Sequence, residues 1–382
     1  MSKSTIICHS FPAWDAPYVK STLEIMCRLA ATHRVILLDY HYTWKDLFFT
    51  AFAPWREILG FRPRWRKLTT RFGEIEVYNT PPIIPVNWVS SPGLFHWLTQ
   101  LNAWWLKSTI KKINQSTQGQ HTTLVNAMNP VYGNTTDTYW EVDKRVYYCY
   151  DEITGMDWCS KWGPDAEKAY LKKVDQVIVT STALQRAKKS LNPACVLVKN
   201  GVDLDRFQSQ DITKTKNKVI GYVGAIDDRL DYELIAQTAT AFPECEIQMV
   251  GPVVSENATQ RLSGLKNVRF MGSFPQEQVP GKIKNMDLCL IPFRKTALTK
   301  AIYPLKVNEY LAMGKPVVTT DFADLSDFES IIAIASTADD FTEAIGMAMK
   351  YNNRMRIQKR IGFAKSNGWD DRVRLFQSYL VA

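Results

Sequence analysis

Two charged residues on a short predicted helix carry the first chemistry that the sequence suggests. The stretch AIYPLKVNEYLAMGKPVVTT, residues 301–320, predicts a helix over residues 305–313, with Pro304 in its first turn and Gly314 at its C-terminal end. Lys306 would then lie in the first turn, where the helix dipole already concentrates positive charge, so its placement is locally unfavourable. The placement makes sense if an anion binds there.

Glu309 follows Lys306 by three residues, about one helical turn, and lies on the same face. The free N–H groups of the first turn and Lys306 form an anion site, while the carboxylate can accept two hydrogen bonds from a vicinal diol. Phosphate followed by diol is the order of groups in a nucleoside diphosphate. The alternative is an exposed Lys–Glu pair, worth only a few tenths of a kcal/mol.

The segment VIGYVGAIDDRLD offers a second phosphate contact. Gly224 follows the first predicted strand of the second half, and ligands of open α/β sheets bind beyond the carboxyl ends of strands. Because Gly224 has no side chain, a phosphate can approach its backbone closely, and Arg229 could meet the same charge. The alternative is a tight turn followed by a solvated arginine.

The elements that must position these residues alternate between strand and helix. Apolar runs predict strands at residues 5–8, 34–39, 123–127, 145–149, 176–180, 219–223, 246–250, 268–271, 288–291 and 317–320. Helical patterns predict helices at residues 17–31, 164–173, 182–191, 232–241 and 279–284. This rhythm predicts an α/β fold with parallel sheets. No glycine precedes Gly60, which argues against a dinucleotide-binding fingerprint at the first turn.

The composition indicates a globular protein with a basic, aromatic first half. The 382 residues are 46% apolar with a net charge of +9, and residues 45–71 hold seven Lys or Arg against two Asp or Glu. The segment Trp44–Phe72 therefore predicts contact with an anionic membrane surface, the alternatives being an acceptor-groove lining or a solvated face. Seven scattered cysteines without C-x-x-C, no signal peptide and no spanning apolar run predict a cytoplasmic, soluble or peripheral protein.

Several of these segments resemble, in order and spacing, the GT-B glycosyltransferases, particularly the GT4-like group acting on cell-surface polysaccharides. PLKVNEYLAMGKPVV resembles their nucleotide-sugar signature, and VDQVIVTSTALQRA, GYVGAI, MVGP and NVRFMGSFPQEQVPGKIKNMDLCLIPF resemble other segments of the family. The resemblance implies two Rossmann-like domains facing across a cleft, with a C-terminal helix crossing back to the first domain. The implied limits are residues 1–199 with 367–382 for the acceptor-binding domain, 200–218 for a linker and 219–366 for the nucleotide-sugar-binding domain.

The resemblance also assigns roles to single residues. Lys306 binds the diphosphate and Glu309 the ribose of a nucleoside diphosphate sugar, without a metal or a further cofactor. The remaining donor contacts are Pro304, Gly224 and Ala225 near the phosphates and Gly272, Ser273 and Phe274 around the base. Many GT4 members have a second glutamate eight residues before the first, but this sequence has Ala301 there. The donor-sugar contacts and a retaining mechanism therefore do not transfer directly.

The acceptor side needs a base if the reaction inverts the anomeric centre. Asp151 follows the strand at residues 145–149 and could deprotonate an acceptor hydroxyl, with His9 and Asp15 as rivals, although each could equally be a loop or capping residue. The D-x-D sequence at Asp203–Asp205 falls in the predicted linker turn and is interpreted as structural.

The predicted function is transfer of a sugar to a saccharide or lipid-linked saccharide. Alternatives are a non-hydrolysing sugar-nucleotide epimerase and a non-catalytic GT-B binding subunit. A nucleic-acid binder ranks last because the sequence has no recognisable binding motif.

Overall fold

The computed structural model describes residues 4–16, 20–155, 159, 161–208 and 218–380. The chain divides into two compact units, one formed by Met1–Lys199 with Val373–Ala382 and the other by Asn200–Arg372. Each unit is built on a largely or wholly parallel sheet, so the predicted α/β class with two parallel-sheet domains is confirmed. Residues 209–217 of the predicted linker lie outside the described residues.

The first unit contains an eight-stranded sheet in the order β3-β4-β2-β1-β5-β6-β7-β8. Its strands are β1 (Thr5–Ser10), β2 (Arg34–Leu38), β3 (Trp65–Thr69), β4 (Glu74–Tyr78), β5 (Thr122–Ala127), β6 (Lys144–Cys149), β7 (Gln176–Val179) and β8 (Cys195–Leu197). Its helices are α1 (Ser21–Leu29), α2 (Asp46–Phe49), α3 (Trp55–Ile58), α4 (Pro92–Thr117), α5 (Pro130–Thr136), α6 (Gly163–Leu171) and α7 (Thr182–Lys189). All pairings are parallel except β3 with β4.

The burial of the central strands of this sheet explains why their sequences are continuous apolar runs. Every residue of β1 and β5 is buried, as expected of parallel strands covered on both faces. The carboxyl ends of the parallel strands β1, β2 and β6 all lie at the same end of the sheet. His9, Asp39 and Asp151 therefore lie near that end. Part of the helix predicted over residues 17–31 falls outside the described residues, and the rest is α1.

The second unit contains a six-stranded parallel sheet in the order β11-β10-β9-β12-β13-β14. Its strands are β9 (Val219–Val223), β10 (Glu246–Val250), β11 (Val268–Gly272), β12 (Leu288–Ile291), β13 (Val317–Thr320) and β14 (Ala333–Ala335). Its helices are α8 (Tyr232–Ala241), α9 (Glu256–Leu262), α10 (Val279–Lys284), α11 (Ala297–Lys300), α12 (Leu305–Ala312), α13 (Ala338–Lys350) and α14 (Arg354–Lys365). The strand order reverses between β9 and β12, where open α/β sheets bind their ligands.

The ends of the second unit differ from the predicted limits of 219–366. Val202 and Phe207 are buried in the core of this unit, and Val202 forms a bridge with Gly368. The start of the predicted linker therefore packs as part of the second unit. The last helix, α15 (Trp369–Ser378), belongs to the first unit from Val373 onward, where Phe376 packs edge-on against Tyr148 at 5.3 Å between ring centroids.

Candidate active site

The helix α12 begins at Leu305, as the sequence predicts, and ends one residue earlier than predicted, at Ala312. Pro304 precedes it with an extended backbone (φ −76°, ψ 98°), so its predicted place in the first turn was wrong. The helix ends before Gly314, whose positive φ of 70° ends the helix in the left-handed conformation that glycine adopts most readily. Because proline has no N–H and the next N–H groups have no intrahelical acceptor, the free donors at this end belong to the first helical residues.

Lys306 and Glu309 form an ion pair along α12. The Lys306 Nζ lies 2.7 Å from a Glu309 carboxylate oxygen, and the two side chains are 29% and 3% exposed. The predicted alternative, an ordinary exposed pair, does not describe this arrangement because the acid is buried. A buried carboxylate is costly without a partner, so Lys306 supports Glu309 while its own side chain stays open to an anion.

Tyr310 attaches α12 to the central strand of the sheet, a contact that the sequence analysis missed. The Val223 N–H donates to the Tyr310 hydroxyl oxygen at 2.8 Å, and that hydroxyl lies 3.4 Å from the Val223 carbonyl. Burial raises the pKa of Tyr310 well above its ordinary value, so the group stays neutral. This tie fixes the helix carrying Lys306 to the end of the strand that precedes Gly224.

Three glycines lie in a row at the carboxyl ends of the adjacent strands β9, β10 and β11. The Gly224 N–H donates to the Val250 carbonyl, and the Gly251 N–H donates to the Gly272 carbonyl, each at 2.9 Å. Gly251 has a φ of 145°, and a Cβ there would lie 1.9 Å from the Gly224 carbonyl oxygen. The row brings the predicted residues Gly224 and Gly272 to one edge of the sheet. Gly251 was missed, although its place directly after a strand in MVGP was a usable signal.

Close packing also explains Gly224 without a ligand. A Cβ on Gly224 would lie 2.5 Å from the Tyr222 hydroxyl oxygen, and that hydroxyl donates to the Ala225 carbonyl at 3.0 Å. Both Gly224 and Ala225 are half-buried, so their backbone is partly accessible. The turn is therefore rigid as well as open to a bound group.

Arg229 is engaged by a carboxylate of its own loop. Its guanidinium lies 2.7 Å from Asp227 and 5.5 Å from the ring centroid of Phe293. The structure thus gives Arg229 a local partner in place of the solvated side chain of the alternative interpretation, and a phosphate would have to share it with Asp227. The Arg229 carbonyl accepts from the Arg294 N–H at 2.7 Å, which joins the loops after β9 and β12.

The remaining predicted donor residues lie at the end of β11 and in the loop that follows it. Gly272 and Ser273 are exposed, and Phe274 is half-buried beneath the Lys282 ammonium, 3.7 Å from its ring centroid. Ala301 is buried, so the position eight residues before Glu309 carries no polar side chain toward a donor sugar.

In the first unit, Asp151 lies half-buried on a well-fixed loop after β6. The Cys149 thiol lies 3.4 Å from the Asp151 carbonyl, and the Thr180 hydroxyl donates to the carbonyl of the preceding residue at 3.0 Å. The next residue, Glu152, is 3.3 Å from the buried Lys188 ammonium. These contacts hold the backbone around Asp151 in one conformation.

Both rival bases have other partners. His9 is fully buried, its Nε2 lies 2.7 Å from His41 Nε2, and burial lowers the pKa of His9 to about 3. Asp15 forms an ion pair with Arg66. The His9 imidazole is therefore buried against a second imidazole, and the Asp15 carboxylate is held by a guanidinium.

The D-x-D sequence has a capping geometry. The Asp203 carboxylate accepts from the N–H groups of Asp205 and Arg206 at 3.2 and 3.3 Å, and Asp203 is buried. Over the described parts of the chain, no group of three or more His, Cys, Asp or Glu side chains is arranged to hold a metal ion.

Comparison with known proteins gives a family for part of the chain. Residues 217–350 match the family described as glycosyl transferases group 1. Over 209 residues the chain is 28% identical to a putative teichuronic acid biosynthesis glycosyltransferase, TuaH, of Bacillus subtilis. That match covers 49% of this chain and 53% of the relative, so it spans about half of the relative's length.

Solved structures match over nearly the whole chain at low identity. The sucrose-phosphate synthase of Thermosynechococcus elongatus has a TM-score of 0.72 at 15% identity, covering 99% of this chain and 98% of its own. Anabaena Alr3699/HepE, solved with UDP and glucose, has a TM-score of 0.70 at 15% identity, covering 99% of both chains. An α,α-trehalose-phosphate synthase of Burkholderia xenovorans has a TM-score of 0.72 at 9% identity, covering 99% of this chain and all (100%) of its own. These likenesses establish the fold.

Proposed function

We propose that this chain, which has the GT-B fold and carries a glycosyl transferases group 1 domain at residues 217–350, is a glycosyltransferase of cell-surface polysaccharide biosynthesis. It moves a sugar from a nucleoside diphosphate sugar to a saccharide or lipid-linked saccharide acceptor. The observation that carries the proposal is the buried Glu309 held by a half-exposed Lys306 at the start of α12. The name of the Bacillus subtilis relative supports the polysaccharide link, and the UDP in the HepE structure supports a nucleotide donor.

In the donor part of the mechanism, Lys306 and Glu309 bind different groups of the nucleotide. An arriving diphosphate draws Lys306 and the first N–H groups of α12, and Glu309 accepts hydrogen bonds from the ribose hydroxyls. As the sugar leaves, negative charge grows on the diphosphate, and the same cation and dipole stabilise it. No metal and no cofactor besides the donor is required in this proposal.

The acceptor part assigns Asp151 as the base. Its carboxylate takes the proton of the attacking hydroxyl, and attack opposite the leaving diphosphate inverts the anomeric configuration. The fixed backbone around Asp151 supports the assignment because a base must be held in reach of its proton.

The proposal places the protein in the cytoplasm, at the membrane surface, through residues 44–72. Phe48 is 81% exposed, and Phe49 and Phe61 are also strongly exposed beside the exposed cation Arg62. Arg66 is less available for this role because it is half-buried and pairs with Asp15, whereas Arg62 stays exposed although it lies 3.7 Å from Glu57.

A donor screen with lipid-linked oligosaccharide as acceptor tests the function. We expect release of a nucleoside diphosphate from one sugar nucleotide only when acceptor is present. An epimerase would interconvert the donor without acceptor-dependent release. A binding subunit would bind nucleotide with no turnover for any donor.

A further inference from the structure

The outer face of α4 carries large aromatic side chains in a place where a water-facing helix usually carries polar ones. Trp97 and Trp104 are 61% and 63% exposed and are seven residues apart, two helical turns or about 10 Å along the axis. The buried face of α4, which includes Leu106, Ile110 and Ile113, packs in the core. The two indoles therefore lie on one stripe opposite the core.

Charge along this part of the chain has one sign. No Asp or Glu occurs between Glu76 and Asp137, a stretch that contains the whole of α4. Lys107, Lys111 and Lys112 are exposed in its C-terminal half, and Lys111 lies two turns beyond Trp104 on the same stripe. Exposed tryptophans next to lysines, without acids, are typical of helices that lie in a membrane interface with anionic lipids.

The helix α4 is connected to the segment at residues 44–72 through hydrogen bonds to the intervening residues Ile83 and Ile84. The Asn102 side chain of α4 holds the backbone N–H and carbonyl of Ile84, each at 2.9 Å. The Trp44 N–H donates to the carbonyl of Ile83 at 3.1 Å. Trp88, further along this connecting segment, is also exposed. The two aromatic surfaces therefore lie on elements that are fixed to one another.

Among the residues that the structure describes, no helix is long and apolar enough to cross a bilayer. We propose that α4 is a second lipid-docking element of the first unit, which lies along an anionic bilayer with Trp97 and Trp104 inserted at the headgroup level and Lys111 and Lys112 against lipid phosphates. This inference rests on the membrane contact in the proposed function and extends it from a loop segment to a long helix.

Sedimentation with vesicles of phosphatidylglycerol and phosphatidylcholine in equal parts tests the role of α4. We expect Trp97→Ala/Trp104→Ala to weaken binding about tenfold or more, because most of the apolar surface that α4 inserts is removed while the contact at residues 44–72 remains. The matched control, Tyr351→Ala/Met355→Ala, removes exposed apolar side chains from the second unit and should bind like the parent protein.

A second pair of variants separates the charges from the indoles. Lys111→Gln/Lys112→Gln should weaken binding to the mixed vesicles several-fold at low salt and leave binding to pure phosphatidylcholine unchanged, because only anionic headgroups attract the lysines. Circular dichroism and thermal unfolding show that each variant is folded.

The outcomes distinguish this inference from the proposed function. If Phe48→Ser/Phe49→Ser abolishes binding while the tryptophan variant binds like the parent, α4 is not a docking element and the contact at residues 44–72 stands. If the parent protein does not bind the vesicles at low salt, both membrane statements are wrong, whereas nucleotide release in the donor screen is unaffected. If light scattering shows a parent dimer that becomes monomeric in the tryptophan variant while vesicle binding persists, the stripe is instead a self-association surface.

Discussion

At the scale of single residues, the proposed donor site depends on Glu309 and Lys306. We expect Lys306→Ala and Glu309→Ala each to weaken nucleoside diphosphate binding by about 1–3 kcal/mol, since each removes a charge-assisted hydrogen bond. Isothermal calorimetry measures the loss, and Lys350→Ala, an exposed lysine at the end of α13, is the matched control. Unchanged affinity in both folded site variants would show that the pair is purely structural.

Substitutions of the two residues should also differ in their effect on stability, and Glu309→Gln is the variant to compare with Lys306→Ala. Lys306→Ala leaves a buried carboxylate without this partner, so its free energy of unfolding should fall more than that of Glu309→Gln, which removes the charge. Comparing the free energies of unfolding with the binding affinities therefore distinguishes two causes of weak binding: local unfolding of the site and the loss of a ligand contact.

The proximity of two candidate site residues could be predicted from the sequence where their spacing was local. Lys306 and Glu309 lie three residues apart on one helix, so helical periodicity alone brought them together. The Tyr310 hydroxyl and the Val223 N–H are 87 residues apart, and only the packing of α12 on β9 shows their contact. For the same reason the His9–His41 pair could not be foreseen, and His9 remained a rival base.

At the scale of elements, that imidazole pair joins the carboxyl end of β1 to the segment after β2. Burial lowers the pKa of His9 to about 3, and burial together with His9 lowers the pKa of His41 well below its ordinary 6.5. The unfolded chain therefore binds more protons below pH 6.5, so stability that is present above this pH is lost as the pH falls.

The consequence is an acid-sensitive first unit. Between about pH 7 and about pH 5, the free energy of unfolding should fall by about 2 kcal/mol on account of His9, from 1.36 kcal/mol per pKa unit, and His41 should add to the fall in the same direction. Urea unfolding at both pH values measures the fall, and His9→Gln should reduce it whereas His96→Gln, an exposed histidine of α4, should not. An equal fall in all three proteins would mean that other groups cause the acid sensitivity.

Element prediction was accurate for the buried strands and poor for the aromatic surface. The predicted bounds of β9, β10, β12 and β13 agree with the structure because each is a continuous apolar run. The 26-residue helix α4 was missed because tryptophans on its outer face obscure the contrast between an apolar and a polar side. The hairpin of β3 and β4 was also missed; β3 has no fully buried residue, so its sequence lacks the apolar run of a core strand.

At the scale of the whole molecule, the proposal requires no divalent metal. The positive charge for the leaving diphosphate comes from Lys306 and the start of α12, so we expect turnover to persist in EDTA at close to its initial rate. The nucleotide-release assay measures this, with magnesium or manganese added back as the control. Complete loss in EDTA that either metal restores would overturn this part of the proposal and direct attention to Asp203 and Asp205.

In the proposed mechanism, donor binding and proton removal are assigned to different units of the molecule. Asp151 belongs to the first unit and Lys306 to the second, so Asp151→Asn should leave nucleoside diphosphate binding unchanged. Turnover should fall by about 10²–10⁴-fold, the usual contribution of a general base, because asparagine keeps the shape but accepts no proton. NMR of the parent product should show inverted anomeric configuration. Retention of configuration, or near-parental turnover of Asp151→Asn, would make Asp151 structural and favour a mechanism in which the leaving diphosphate itself assists the incoming hydroxyl.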